Sequence, residues 1–200
     1  MTISHPCTYN VIKVIKGGNI MRCVTKTELE IINRFRLLWE QHSEWTRMAI
    51  TAIVFELPNE EETVTRLLRN PKDFAMTLRI FYGERVANQF SELLTEHLVI
   101  AAELVKAVMA GNTVEVEALE RRWYQNAEDI AKFLGKINPC WSVQEWRKML
   151  FEHLRLVKDE AVTLINGNYQ LNVEVYDILE LQALEMADMM SEGIIKQFIR

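Results

Sequence analysis

A repeated pattern of polar and apolar residues constrains the fold of this chain more than any other feature. Residues 90–134 and 146–190 align without a gap at an offset of 56 positions. The alignment places His97 opposite His153, and the Gly-Asn pair at positions 111–112 opposite the Gly-Asn pair at positions 167–168. Because apolar residues recur at helical spacing on both sides of each Gly-Asn pair, each copy predicts two helices joined by a tight turn.

A third, weaker copy precedes these two. Phe35 stands seven residues before His42, as Phe90 stands before His97. The sequence therefore predicts an all-α fold, a bundle of three tandem αα-hairpins with about six helices, over residues 35–82, 90–134 and 146–198. A single hairpin cannot bury its own apolar face, so we expect the three hairpins to pack as one domain. Thr-x-x-Glu at Thr25 or Thr27 and Ser-x-x-Glu at Ser142 are capping boxes that begin helices.

The first copy departs from the pattern in its second half. Asn70-Pro71-Lys72-Asp73 has the order of a helix N-cap, proline in the first turn and an early acid. We therefore expect the helix to be broken here and Asn70 to act as a cap, not as a partner in the core.

The composition narrows the functional classes. The chain has 200 residues, 49% hydrophobic and 26% charged, with a net charge of −5, which suits one globular domain and disfavours a nucleic-acid-binding protein. No apolar run approaches the roughly 20 residues that span a bilayer, and the start has no apolar core of a signal peptide, so we expect no membrane partner. Three cysteines without a C-x-x-C motif indicate reduced thiols and a cytoplasmic protein.

The segment 1–20 differs from the rest of the chain. Lys16-Gly17-Gly18-Asn19-Ile20-Met21 is what a purine-rich ribosome-binding site followed by a start codon encodes when it is read in frame. Two interpretations stay open: residues 1–20 are a disordered tail, or translation starts at Met21 and the start is misassigned. In both, residues 21–200 form the helical domain.

The helical period predicts where the histidines lie. At 100° per residue, the residues around His42, His97 and His153 on the same helix face are almost all apolar, so each imidazole should point inward. The spacing along the chain from His97 to Gly111 equals the spacing from Asn112 to Asn126. In an antiparallel hairpin both side chains then stand at one height, roughly 21 Å from the turn.

His153 and Gln182 repeat that spacing around the second Gly-Asn pair, and an acid follows each amide three residues later. The sequence thus predicts one buried layer of polar side chains. Its expected members are His42, His97, His153, Asn126, Gln182, Asp129 and Glu185, with Asp73, Glu160 and Asp188 as further candidates.

Such a layer has two interpretations. Imidazoles and carboxylates on facing helices are the ligands with which helix bundles hold iron, manganese or zinc. Alternatively the layer is a hydrogen-bond network that satisfies itself and was copied with the hairpin. No Gly-rich phosphate loop or Gly-x-Ser-x-Gly motif occurs, so no nucleotide cofactor or nucleophile elbow is expected.

Residues 21–199 also resemble a family of uncharacterised all-helical proteins of low-GC Gram-positive bacteria. The resemblance lies in LLWEQHSEWTR, LLRNPKDFA, LLTEHL, RWYQNAEDIAKFL, INPCWS and MADMMSEGIIKQF. Some relatives carry an acetylglutamate kinase label, but that class is α/β with glycine-rich phosphate loops. The Glu-His-Leu turns are loosely similar to ferritin-like and hemerythrin-like bundles, which hold metals between helices. This chain lacks their Glu-x-x-His pairs, which disfavours di-iron oxidase chemistry.

The leading functional hypothesis from the sequence is a cytoplasmic bundle whose His/carboxylate layer binds a divalent metal. As an enzyme it would use the metal to activate water or O₂, with Asp129 or Glu185 as the base. Two alternatives stay open: a non-catalytic scaffold or interaction protein with a structural polar layer, and a bundle that binds a small ligand in a pocket lined by tryptophan and histidine. The sequence also leaves a homodimer open.

Overall fold

The structure, a computed structural model, describes residues 24–199. Six helices account for nearly all of this range: α1 (Lys26–Val54), α2 (Glu60–Leu67), α3 (Asn70–Met109), α4 (Thr113–Ile137), α5 (Val143–Ile165) and α6 (Tyr169–Phe198). No strand occurs within residues 24–199. The predicted all-α helical bundle is therefore confirmed, while the interpretations of residues 1–20 and the thiols Cys7 and Cys23 lie outside the described residues.

The helix ends follow the sequence signals. The Thr25 hydroxyl accepts a hydrogen bond from the Glu28 amide, and the Glu28 carboxylate accepts one from the Thr25 amide, which completes the capping box. Asn112, Ser142 and Asn168 cap α4, α5 and α6 through their side chains. These caps satisfy amide groups that have no partner inside the helix, so the ends of the hairpins are sharply defined.

The helix α3 serves two hairpins because it bends at Gly83. This residue has φ 77° and ψ 172°, a backbone conformation that only glycine adopts readily. Residues 70–82 complete the first hairpin with α1 and α2, and residues 84–109 form the second hairpin with α4. The helices α5 and α6 form the third hairpin.

The hairpins share one core. The helix α1 packs against α3, α5 and α6, and α4 packs against α3 and α5, so neighbouring hairpins interlock. Phe35, Phe74, Phe90 and Trp146 are fully buried in the same cluster of apolar side chains. None of the helices in residues 24–199 has an apolar stretch long enough to cross a membrane.

The connection between the second and third hairpins is held against α6. The Trp141 indole N–H donates to the Met189 carbonyl at 3.1 Å, and the ring lies directly over Gly193. A Cβ atom at position 193 would lie 1.9 Å from Trp141 Nε1. Glycine is therefore required at this contact, because any side chain would push the indole away.

Candidate functional site

Three histidine–amide pairs form the polar layer at the middle of the bundle. Each imidazole Nδ1 is hydrogen-bonded to an amide oxygen of its own hairpin: His42 to Asn70 at 3.1 Å, His97 to Asn126 at 2.8 Å, and His153 to Gln182 at 2.9 Å. The equal-height spacing predicted for the second and third hairpins is thus confirmed. The prediction that Asn70 acts as a cap and not as a partner in the core is wrong, because Arg69 is the N-cap of α3 and the Asn70 side chain bonds His42.

The amide of each pair is fixed by a second hydrogen bond. Its NH₂ group donates to the backbone carbonyl four residues before the histidine, namely Leu38 at 3.0 Å, Leu93 at 3.1 Å or Met149 at 3.0 Å. The amide oxygen is therefore an acceptor, so each Nδ1 carries the proton and each Nε2 carries a lone pair. Asn70 can join the pattern because α3 begins at this residue and its fully buried side chain turns toward α1.

Burial keeps the three imidazoles neutral. Their exposed fractions are 2% for His42, 3% for His97 and 2% for His153. Desolvation, together with the neighbouring imidazoles, lowers the pKa of His42 to about 3, and desolvation lowers the pKa of His97 to about 4. The pKa of His153 is also lowered by desolvation, partly offset by its hydrogen bond to Gln182. The layer therefore holds three uncharged rings at neutral pH.

The three imidazoles surround a small central cavity. Its volume is about 10 Å³, roughly that of one water molecule, and Trp39 and Trp146 line it together with the histidines. The ring centroids of His42 and His153 are 5.5 Å apart. Within residues 24–199, the indole N–H groups of these two tryptophans have no hydrogen-bond partner.

The predicted carboxylates of the layer lie elsewhere. Asp129 is exposed and accepts a hydrogen bond from Gln125 at 3.1 Å, and Glu185 is exposed on the outer side of α6. The buried face of α4 is centred on Ala127 and Ile130, so Asn126 lies at one edge of this face and Asp129 lies beyond that edge. The expectation that these two acids share the inward face is therefore wrong.

The further acid candidates are each paired with an arginine. Asp73 accepts from Arg69 at 3.2 Å, Glu160 from Arg47 at 3.0 Å, and Asp188 from Arg36 through both oxygens at 2.8 and 2.7 Å. No carboxylate in residues 24–199 is hydrogen-bonded to an imidazole of the layer. Across the same residues, no group of three or more His, Cys, Asp or Glu side chains is arranged to hold a metal ion.

Glu160 belongs to a second polar network, which joins α1, α5 and α6. Arg47 binds the Glu160 carboxylate and also donates to the Asn172 side chain at 3.0 Å, while its guanidinium lies 4.3 Å from the centre of the Tyr176 ring. Desolvation raises the pKa of Glu160 to about 7, although the charge of Arg47 opposes this shift. The second carboxylate oxygen has no partner in the described part of the chain.

A larger apolar cavity lies next to the layer, between α1, α2, the second half of α3, α4 and α5. Its volume is about 70 Å³, and all but four of its lining residues are aliphatic. The four exceptions are Thr46, Glu120, Trp123 and Lys158. The ring of Trp123 lies 5.4 Å from the ring of His97, so the cavity adjoins the polar layer.

Two residues that line this cavity each have a buried polar atom without a partner. The Thr46 hydroxyl and the Trp123 indole N–H are buried and have no hydrogen-bond partner within residues 24–199. Lys158 and Glu120, by contrast, are partly exposed and pair with each other at 2.6 Å. Sequence reasoning missed this cavity because it arises where small side chains of different helices, such as Ala49, face one another, and no local pattern records that meeting.

Comparison with protein-family models, with curated proteins and with solved structures found no match for the chain.

Proposed function

We propose that this protein is a non-catalytic helical bundle that binds one small, mainly aliphatic molecule in the apolar cavity beside the polar layer. The observation that carries the proposal is a cavity of about 70 Å³ whose wall is almost entirely aliphatic. Predominantly apolar walls are typical of small-molecule sites.

In this proposal the histidine–amide layer has a structural role. Each pair links the two helices of one hairpin, and the amide hydrogen bond to the backbone ties the same helices a second time. Because the motif occurs once in every hairpin, it holds the three hairpins at a common height around the centre of the bundle. A satisfied buried network of this kind favours one register of packing over its alternatives.

The proposal is tested by the stability of the full chain with and without n-pentane, an aliphatic probe. A molecule that binds only the folded state raises the melting temperature by mass action. We expect n-pentane to raise the melting temperature of the wild type. Ala101→Leu fills part of the cavity from α3 and should abolish that rise.

Ala118→Leu is the matched control, because it makes the same substitution at an exposed position of α4 outside the cavity. This variant should respond to n-pentane as the wild type does. The proposal is wrong if n-pentane leaves the wild-type melting temperature unchanged, or if Ala101→Leu and the wild type respond equally.

A second candidate is a divalent metal, iron, manganese or zinc, held by the Nε2 atoms of His42, His97 and His153. The observation that favours it is three neutral imidazoles around one cavity, each oriented through Nδ1 as histidine ligands of metals are. Asn126 and Gln182 would orient these ligands, whereas the exposed Asp129 and Glu185 would take no part. The three rings would have to move closer together to coordinate one ion.

Elemental analysis of the purified and zinc-soaked protein tests this candidate. One metal per chain, lost in His97→Gln, would support it. A chain without stoichiometric metal after soaking would exclude it and leave the layer with its structural role alone.

We also propose a cytoplasmic location. Cys140 is exposed and unpaired, which suits a reducing compartment. The expected lack of nucleic-acid and membrane partners and the open homodimer stay predictions.

A further inference from the structure

We infer that small molecules enter and leave the apolar cavity through the seam between α4 and α5, and that the ion pair of Lys158 and Glu120 is the gate across this entrance. The inference rests on the proposed function of the cavity and adds how access to its interior is controlled.

The wall of the cavity approaches solvent most closely at the seam between α4 and α5. Among the described residues of the wall, Lys158 and Val162 of α5 are exposed, whereas the others are buried or half-buried. Across the seam, Val116 and Glu120 of α4 are half-buried and line the same cavity. Residues four positions apart are neighbours on a helix surface, so each helix contributes two adjacent side chains to one window between the cavity and the solvent.

The ion pair spans this window. Lys158 Nζ lies 2.6 Å from Glu120 Oε1, with 45% of the lysine side chain and 30% of the glutamate side chain exposed to solvent. Both side chains also line the cavity, so they lie between its interior and the solvent. A molecule that passes between α4 and α5 at this point must therefore displace at least one of the two charged side chains.

Opening the ion pair costs less free energy than a route through the opposite wall. A partly exposed ion pair between long side chains contributes little to stability, and exposed side chains change rotamer within nanoseconds. The opposite wall consists of buried side chains of α1 and α2, such as Ile50 at 4% and Leu67 at 5% exposure. Because these groups are closely packed, a molecule could pass them only if whole helices separated.

A gate controls the rates of binding and leaves the affinity unchanged. The ion pair can form before the ligand enters and again after it has entered. Breaking the pair therefore lowers the barrier between the free and the bound protein without changing their difference in free energy. Association and dissociation should then accelerate by the same factor, which for a partly exposed ion pair is about two- to fivefold.

The test measures the exchange of n-pentane between solvent and the full chain by relaxation-dispersion NMR of the methyl groups that line the cavity. Glu120→Gln and Lys158→Met remove the ion pair and keep side chains of similar size. We expect both variants to raise the association and dissociation rate constants about two- to fivefold, with an unchanged dissociation constant. High salt should raise the dissociation rate constant of the wild type but not that of Glu120→Gln, because salt screens the pair.

Arg122→Gln is the matched control, because Arg122 also pairs across two helices, with Glu96 at 3.0 Å, but does not line the cavity. Its rate constants should equal those of the wild type. The gate would be overturned by wild-type rate constants in Glu120→Gln and Lys158→Met, by an equal acceleration in Arg122→Gln, or by acceleration of only one of the two steps. A wild type that does not bind n-pentane would instead overturn the proposed function itself, so the two failures are distinguishable.

Discussion

The buried imidazoles should make the protein lose stability when the pH falls from 7 to 5. The folded pKa of His42 is lowered to about 3 and that of His97 to about 4, whereas the unfolded chain takes up protons near 6.5. The stabilisation from these lowered pKa values is fully present above pH 6.5 and is lost as the pH falls toward the folded values. At about 1.4 kcal/mol per pH unit, each of the two residues costs about 2 kcal/mol at pH 5.

Glu160 should act in the opposite direction. Its folded pKa is raised to about 7 from 4.5, so the folded state binds this proton more tightly than the unfolded state. The folded state therefore gains stability as the pH falls from above 7 toward 4.5, about 2 kcal/mol between pH 7 and pH 5. The two histidines together lose about 4 kcal/mol over the same interval, so the sum for these three residues is a loss of about 2 kcal/mol.

Two variants separate these contributions. His42→Gln keeps a side chain that can bond Asn70 but does not titrate, so its free energy of unfolding should fall by about 2 kcal/mol less than that of the wild type between pH 7 and pH 5. Glu160→Gln should fall by about 2 kcal/mol more than the wild type. Urea denaturation followed by circular dichroism at pH 7, 6 and 5 measures both differences.

Equal losses of stability in His42→Gln and the wild type between pH 7 and pH 5 would refute this reasoning. The His42 imidazole would then titrate as it does in water, and it would not be buried away from solvent in the folded protein. The Glu160→Gln curve is independent of that result, since Glu160 contacts Arg47 and not the layer.

Three further substitutions test the packing. Gly83→Ala should lower the free energy of unfolding by about 1–2 kcal/mol, because φ 77° strains any residue with a Cβ. Equal urea midpoints for the variant and the wild type would contradict the bend at this residue. Gly193→Ala should lower the free energy of unfolding by about 2 kcal/mol, because the added Cβ displaces the Trp141 indole. The same displacement should weaken the near-ultraviolet circular dichroism of Trp141, and an unchanged spectrum would contradict the contact between the indole and Gly193. His97→Leu alone should lower the free energy of unfolding by about 1–3 kcal/mol, because it leaves the Asn126 side chain without its partner. The double variant His97→Leu, Asn126→Leu should recover most of this loss, because both polar groups are then removed. A double variant no more stable than the single one would contradict a purely structural role of the pair.

The local features of the chain were predictable from its sequence. Helix starts at Thr25 and Ser142, the turns after Gly111 and Gly167, and the inward direction of the three histidines all follow from spacing along one helix or one hairpin. These features depend on residues close in sequence, where the helical period of about 3.6 residues leaves few alternatives. The pairing of His97 with Asn126 was predictable for the same reason. In a hairpin with a short turn, the height of a side chain is proportional to the number of residues that separate it from the turn.

The exact rotation of each helix was decided only by the packing of the whole bundle. A helix turns about 100° per residue, so a separation of three positions leaves an angle of about 60° between the side chains of Asn126 and Asp129. This angle is enough to place one side chain in the core and the other in solvent. The sequence pattern alone does not tell how wide the buried face is. For the same reason, the sequence pattern does not show that Asn70 faces the polar layer, although it does predict that a helix begins near this residue.

The pairing of Glu160 with Arg47 and the apolar cavity were decided by contacts between hairpins. Arg47 lies on α1 and Glu160 on α5, far apart along the chain, and the cavity exists where five helices meet. Within one hairpin the turn relates the two helices, so spacing predicts which side chains meet. Between hairpins, the relative position of two helices is determined by the free energy of packing all six helices together. Which side chains meet across hairpins therefore follows only from the tertiary structure.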